Sequence, residues 1–150
     1  MTQTAANITL IEIGLDRYEE LIALWDKSGL PVRPEGRDAP EAFARQATLG
    51  RQRAVGLVDG SGHLVAATIL THDGRKGWIN RLAVDPVFRR CGLARRLAEE
   101  AERWFTLELG LEVWAALIEG YNKDSQALFA ALGFHTHDVV YVSKRTRPEA

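Results

Sequence analysis

The stretch from Trp78 to Leu107 constrains the fold of this chain more than any other part of it. It begins as an extended apolar run, Trp78–Val84, which Asp85-Pro86 stops. It then passes through Arg89-Arg90 and Gly92 into a helical pattern in which Leu93, Leu97, Ala101, Trp104 and Phe105 line one face. The opposite face carries Arg95/Glu99, Arg96/Glu100 and Glu99/Arg103 at i,i+4 spacing, pairs expected to add a few tenths of a kcal/mol each. A strand feeding directly into a one-sided helix needs a sheet for that helix to cover.

The flanking sequence supplies the strands. Ile8–Ile13 is β-branched and alternating enough for an opening strand. Asp16 is placed to cap a first helix with Leu21, Ile22, Leu24 and Trp25 at helical spacing, ended by Gly29 and Pro31. Leu30–Arg37 holds two prolines and a glycine and reads as an irregular loop. A second helix is predicted from Asp38 to Gly50, with Glu41 as capping-box partner. Ala54–Val58, Leu64–Thr71 and Trp78–Val84 are strand-like; Asp59-Gly60-Ser61-Gly62 joins the first two as a hairpin, so antiparallel pairing is expected. Leu111–Ile118 is a nearly continuous apolar strand, the pattern of a strand covered on both faces. A short helix from Lys123 to Leu132 closes at Gly133, and Phe134–Lys144 supplies one or two last strands. The expectation is one α+β domain spanning residues 1–150.

Composition narrows the function classes. At 150 residues the chain can bury roughly 70% of its unfolded surface. Its 19 Lys+Arg against 20 Asp+Glu leave a net charge of −1, which gives no global field for nucleic acid or an anionic membrane. One cysteine, Cys91, cannot form an internal disulfide, and Met1–Asn7 is polar, so a cytoplasmic protein without a signal peptide or membrane span is expected.

The local charge is different. Between Arg81 and Arg96 stand five arginines and one acid, Asp85, a local balance of about +4. The first turn of a helix presents unpaired N–H groups and a partial positive charge. Gly92 and Ala94 keep side-chain bulk away from that turn. The combination suits a phosphate or pyrophosphate better than a carboxylate. No Gly-x-x-x-x-Gly-Lys-Ser/Thr and no Gly-x-Gly-x-x-Gly is present, so neither a P-loop nor a dinucleotide fold is supported. His72, His135 and His137 have no third ligand at metal spacing, and no metal site is expected.

Arg89-x-x-Gly92-x-Ala94, placed after Leu82-Ala83-Val84-Asp85-Pro86, resembles the acetyl-CoA signature of the GNAT N-acetyltransferases. The run from Asn122 to Gly133-Phe134 resembles that family's Asn-x-x-Ala/Ser…Leu-Gly-Phe segment, and the element order agrees from Ile8 to about Lys144. Within the family the chain looks most like the small stand-alone bacterial enzymes. The resemblance implies a mixed, mostly antiparallel sheet of six or seven strands flanked by about four helices and splayed between the fourth and fifth strands, with acetyl-CoA in the splay as cosubstrate. Leu82, Ala83 and Val84 would pair with the pantetheine arm. Arg89, Arg90, Cys91, Gly92, Leu93, Ala94 and Arg95 would surround the pyrophosphate, and Asn122 would hold the pantetheine or adenosine side. It implies transfer of an acetyl group to a primary amine, small molecule or protein, with Trp25 and Arg33 on the acceptor side. Dimers are common in the family, so a homodimer is among the partners it implies.

Two positions depart from the family pattern. Where many members carry a tyrosine general acid, this chain has Phe129; where many carry a glutamate on the fourth strand, it has Asn80. Tyr121 and Glu119, at the end of the fifth strand, are the substitute catalytic candidates. The same departures keep open a second reading, a non-catalytic acyl-CoA-binding module. A nucleic-acid-binding domain built on the Arg81–Arg96 patch is disfavoured by the overall charge.

Overall fold

The computed structural model describes residues 7–150; the polar opening Met1–Ala6 lies outside the described residues. Among these residues a five-stranded sheet runs in the order β1-β2-β3-β4-β5, made of β1 (Thr9–Glu12), β2 (Gln52–Val58), β3 (Leu64–His72), β4 (Gly77–Val84) and β5 (Trp114–Ala115). The first four strands are antiparallel neighbours, β2 to β4 through short turns and β1 to β2 through the segment that carries the first two helices, and β5 lies parallel to β4 after a helical crossover. Helices α1 (Tyr18–Lys27) and α2 (Pro40–Ala47) cover one face. Helices α3 (Leu93–Arg103) and α4 (Lys123–Ala131) cover the other.

The core follows from strand alternation, shifted by one residue in β3 where its ladder with β2 is irregular opposite Leu57 and Val58. Val55, Leu57, Val65 and Leu70 point to the α3 side, where Leu93, Leu97, Ala101 and Phe105 meet them. Ala54, Leu64, Ala67 and Ile69 point the other way, onto Leu21, Leu24, Trp25 and Phe43. With both faces covered, β2 and β3 read as nearly unbroken apolar strings. Gly77 sits where Phe105 crosses β4: a Cβ built on it would lie 2.6 Å from the ring.

Several expectations need correction. The sheet has five strands among the described residues, not six or seven. Leu111–Ile118 pairs only at Gly77↔Trp114 and Trp78↔Ala115, and Phe134–Lys144 forms no strand. In both cases the sequence reads as extended, but the ladder is two residues long in the first segment and absent in the second, and a strand exists only through its ladder. The second helix is Pro40–Ala47 rather than Asp38–Gly50: its N-cap is Ala39, and Asp38 makes no cap because its carboxylate is engaged elsewhere. A single 3-10 turn, Leu15–Arg17, precedes α1, so Asp16 does not cap that helix. The long third helix ends its α-helical part at Arg103 and continues as a π-turn, Trp104–Glu108. Its ion pairs also differ from the i,i+4 set: Glu100 binds Arg53 of β2 and Arg103, and Arg103 also reaches Glu108.

Substituting Gly77→Ala is expected to destabilise the protein by about 1–3 kcal/mol, the usual cost of overpacking a rigid core. Urea unfolding measures it; an unchanged midpoint would show that Phe105 yields freely.

Candidate active site at the β4–α3 junction

The junction is built outward from Asp85. Its backbone N–H donates to Val65 O on β3 at 2.8 Å, which seats the turn on the sheet. Its side chain accepts from Val87 N at 3.0 Å and from Lys27 Nζ of α1 at 2.8 Å. Burial alone raises the carboxyl's pKa, but the Lys27 and Val87 bonds outweigh it and hold Asp85 below its ordinary value. The residue after Lys27, Ser28, donates to Val84 O at 3.4 Å, so the end of α1 meets the end of β4 here.

Beyond the Pro86–Phe88 turn the backbone reverses sharply. Arg90 has φ +64° and Gly92, the N-cap of α3, has φ +76°. Glycine occupies the left-handed region without penalty, whereas a non-glycine residue such as Arg90 is held there only by its surroundings. Gly92 offers no side-chain cap, and the first intrahelical bond comes from Arg96 N to Gly92 O at 3.1 Å. The amides of Leu93, Ala94 and Arg95 thus precede the helical ladder and point toward whatever lies before the helix. Before it is a cavity of about 270 Å³ lined by Val84, Phe88, Arg89, Arg90, Gly92, Leu93, Ala94, Arg95 and Leu128.

Of the residues expected to hold acetyl-CoA, Arg89, Arg90, Gly92, Leu93, Ala94 and Arg95 of the pyrophosphate set line this cavity, together with Val84 of the pantetheine set. Leu82, Ala83 and Cys91 do not: Ala83 is buried on the α1 side, and Leu82 and Cys91 pack against the α3-side core. Asn122 caps α4, its Oδ1 accepting from Ser125 N at 3.1 Å. Phe88 and Leu128 were not anticipated; Leu128 brings α4 to the cavity rim, and only its apolar position on α4 hinted at that. Tyr121 is 76% exposed and Glu119 is also exposed, and neither lines the cavity.

The five-arginine island divides. Arg96 donates to Ile8 O at 2.8 Å and so ties α3 to the start of β1. Arg81 turns to the opposite face of the sheet, where it donates to Asp38 Oδ2 at 2.8 Å and Pro31 O at 2.7 Å and lies 4.6 Å over the Trp25 ring. Asp38, only 8% exposed, also accepts from Arg33 N at 2.7 Å, and its carbonyl accepts from the Tyr18 hydroxyl. These bonds fold the 30–38 loop onto β4. Arg81 is pushed down by burial, with Asp38 opposing the shift. Trp25 is 3% exposed, a floor beneath Arg81 rather than a surface an acceptor would touch. Its Nε1 has no hydrogen-bond partner among the described residues.

Neither departure from the family pattern leaves a titratable group at its position. Asn80 Nδ2 donates to Thr71 Oγ1 at 3.0 Å and Ile69 O at 3.2 Å, and Phe129 packs edge-on against Phe134 at 4.9 Å. Among the described residues no group of three or more His, Cys, Asp or Glu is placed to hold a metal ion, and no helix is long and apolar enough to cross a membrane.

Fold and junction together define an α+β protein whose β4–α3 turn gathers three arginines and the amides of a helix start around one cavity. The sequence profile of the acetyltransferase (GNAT) family matches residues 18–134, and the chain belongs to that family. Its fold is shared with solved structures at low identity. The aminoglycoside antibiotic 6'-N-acetyltransferase AAC(6')-Ih from Acinetobacter baumannii is 18% identical over 94% of this chain and 100% of its own, with a TM-score of 0.75. The PaiA N-acetyltransferase from Thermoplasma acidophilum, in complex with coenzyme A, is 17% identical over 89% and 93%, with a TM-score of 0.76. Glucosamine-6-phosphate N-acetyltransferase from Arabidopsis thaliana is 13% identical over 94% and 99%, with a TM-score of 0.71. No curated protein matches the chain in sequence.

The Asp85 geometry sets a pH dependence. A carboxyl held below its unfolded value of ~3.9 contributes stability that is complete above that value and is lost as pH falls through the folded one. Asp85→Asn, which can still accept from Val87 N, is expected to flatten the loss of stability between about pH 5 and pH 3. Thermal melts across that range test it; parallel curves for the two proteins would remove Asp85 from the account.

Proposed function

We propose that the chain, acting as one domain, transfers an acetyl group from acetyl-CoA to a primary amine. The observation that carries this reading is the first turn of α3, where Arg89, Arg90 and Arg95 and the amides before the helical ladder border one cavity. That donor set fits a pyrophosphate: two charged groups side by side match several directed N–H donors and planar guanidinium forks. The gap beside β4, whose pairing with β5 ends at Trp78, supports a site for the pantetheine arm along Leu82–Val84. The coenzyme A complex of the Thermoplasma neighbour is consistent with the same ligand.

In the reaction the amine nitrogen attacks the thioester carbonyl carbon, the C–S bond breaks, and coenzyme A leaves as thiolate while the amine gives up a proton. An alkyl amine with a pKa near ~10.4 is about one part in a thousand neutral at pH 7, so the proton has to be removed. Asn80 cannot remove it, being a neutral amide spent on the sheet. Glu119 is the proposed base, through water, and Tyr121 the proposed acid; a thiolate leaves readily enough that the acid contributes the less of the two. The proposed acceptor side is the 30–38 loop, which carries Arg33 and which Arg81 holds in place through Pro31 O and Asp38.

A second reading, a non-catalytic acyl-CoA-binding module, is favoured by the structural use of Asn80 and Phe129. Thiol release from acetyl-CoA, measured across a panel of amines and peptide N-termini, separates the two. Turnover on at least one amine is expected; tight coenzyme A binding with no turnover on any of them favours the module. With an active amine in hand, Glu119→Gln is expected to lower kcat and shift the pH profile, and unchanged kcat/KM would remove Glu119 from the chemistry.

The divided arginine island predicts divided kinetics. Arg89→Ala combined with Arg95→Ala should raise the KM for acetyl-CoA at least tenfold, the loss of about 1.4 kcal/mol or more of charge-assisted bonding. Arg81→Ala should instead raise the KM for the amine and lower Tm, with the KM for acetyl-CoA nearly unchanged. Equal effects of the two variants on acetyl-CoA would contradict the division.

A further inference from the structure

The 30–38 loop has two flanks of opposite charge, and only one of them adjoins β4. Against the solvent face of α1 the loop borders a groove of about 580 Å³, apolar at Ile22, Leu30 and Val32 and lined as well by the exposed carboxylates of Glu19 and Asp26. Arg33 is absent from that lining, and so is every residue of β4. On the other flank the loop meets Arg81, which donates to Pro31 O and to Asp38 Oδ2.

Arg33, Arg37 and Arg81 gather on this β4 flank around the carboxylate of Asp38. That carboxylate is buried, and its Oδ2 already accepts from both Arg81 and the Arg33 amide. Burial pushes the Arg81 guanidinium down and Asp38 opposes the shift, while Arg37 and Arg33 are near enough for their charges to push it down further. Arg33 is bonded through its amide and Arg37 through its carbonyl, and neither guanidinium has a hydrogen-bond or ion-pair partner among the described residues. Glu35, the other acid of the loop, is exposed, and Arg147 reaches its carbonyl. Two unneutralised guanidinium groups thus stand beside an acid whose bonds are already taken, and a further anion would relieve their repulsion.

We propose that Arg33 and Arg37 make the acceptor site selective for amines that also carry an anionic group, a carboxylate or a phosphate. This rests on the N-acetyltransferase reading and narrows its acceptor class. Arg81 directly precedes Leu82–Val84, the segment proposed to pair with the pantetheine arm. An anion held beside Arg81 therefore lies on the flank of the loop from which an attached amine can approach the thioester. The acidic groove touches no part of β4 and offers a cationic acceptor no such approach. Guanidinium forks match the paired oxygens of either oxyanion. Arg81 is a positioning residue here, holding the loop through Pro31 and Asp38, while Arg33 and Arg37 read the anion.

Thiol release from acetyl-CoA with two matched pairs of amines tests it: γ-aminobutyrate against its amide, and phosphoethanolamine against ethanolamine. The anionic member is expected to have the higher kcat/KM by about tenfold or more, the scale of one charge-assisted bond. Added salt should shrink that ratio, and the pair with the larger ratio identifies the oxyanion that fits. The double variant Arg33→Gln/Arg37→Gln is expected to bring the ratio close to one, with circular dichroism reporting that the chain is folded. Turnover that ignores the anion, or that favours a simple alkyl diamine, overturns the proposal and leaves the N-acetyltransferase reading standing. A preference for the anion that survives in the double variant overturns it as well. If no amine turns over, calorimetry of the same four amines with the coenzyme A-loaded protein decides. Salt-sensitive binding of the anionic members that is lost in the double variant upholds the anion site while the catalytic reading fails; equal or absent binding overturns the anion site too.

Discussion

The β4 bulge is the constraint on which the rest of this structure depends. Between Ile69↔Asn80 and Ala67↔Ala83, β4 contains one residue more than β3, and Arg81 takes up the difference at φ +51°. A left-handed residue with a side chain costs about 1–2 kcal/mol, so its neighbours must hold it. They do so through paired groups. Thr68, fully buried, donates to Asn80 O at 2.8 Å, and Asn80 Nδ2 donates back to Ile69 O. The polar atoms that an interrupted ladder leaves inside the sheet are therefore satisfied. Arg81 is thereby directed into Asp38 and over Trp25, which places the 30–38 loop. On the other side of the bulge, β4 proceeds to Val84 without β5 beside it. One extra residue thus shapes the loop on one face of the sheet.

Much of this architecture was legible in the sequence, for identifiable reasons. Helix α3 and its glycine-led start follow from local spacing, and β1 to β4 follow from alternation and turn residues. The anion-suited turn was legible because its parts, Arg89 to Arg95, are adjacent in the chain. What stayed hidden depends on partners far away. Asp38 looks like a helix cap three residues ahead of Glu41, yet its carboxylate answers to Arg81, 43 residues distant. Arg81 and Arg96 look like members of one basic island because nothing local says which face each will occupy. Leu111–Ile118 and Phe134–Lys144 look like complete strands because composition records what a segment can bury, whereas strand pairing requires a second backbone.

The division of the arginines also bears on how such a site tolerates change. Arg89, Arg90 and Arg95 are exposed around the cavity, where any one guanidinium adds a screened, modest increment. The fixed elements are Gly92, the amides of the first α3 turn and the Asp85 anchor, all set by backbone geometry. A site of this kind keeps its shape when single side chains vary. Arg81 has no such latitude, because removing it leaves the Asp38 carboxylate buried with Arg33 N as its remaining partner.

Conversion of Asn80 and Phe129 to structural duty fits the same logic. A glutamate at residue 80 would place a charge among Thr71 Oγ1 and Ile69 O, replacing the amide's donors with acceptors facing a carbonyl. A tyrosine at residue 129 would bring a hydroxyl into a buried contact with Phe134 that offers it no acceptor. Each residue is therefore suited to its packing environment. Neither residue can move a proton, which is why the proposed base and acid are sought at the solvent-facing end of the β5 segment. Under the proposed reading, acceleration would come chiefly from positioning an amine at the 30–38 loop against an acyl carrier at the α3 turn.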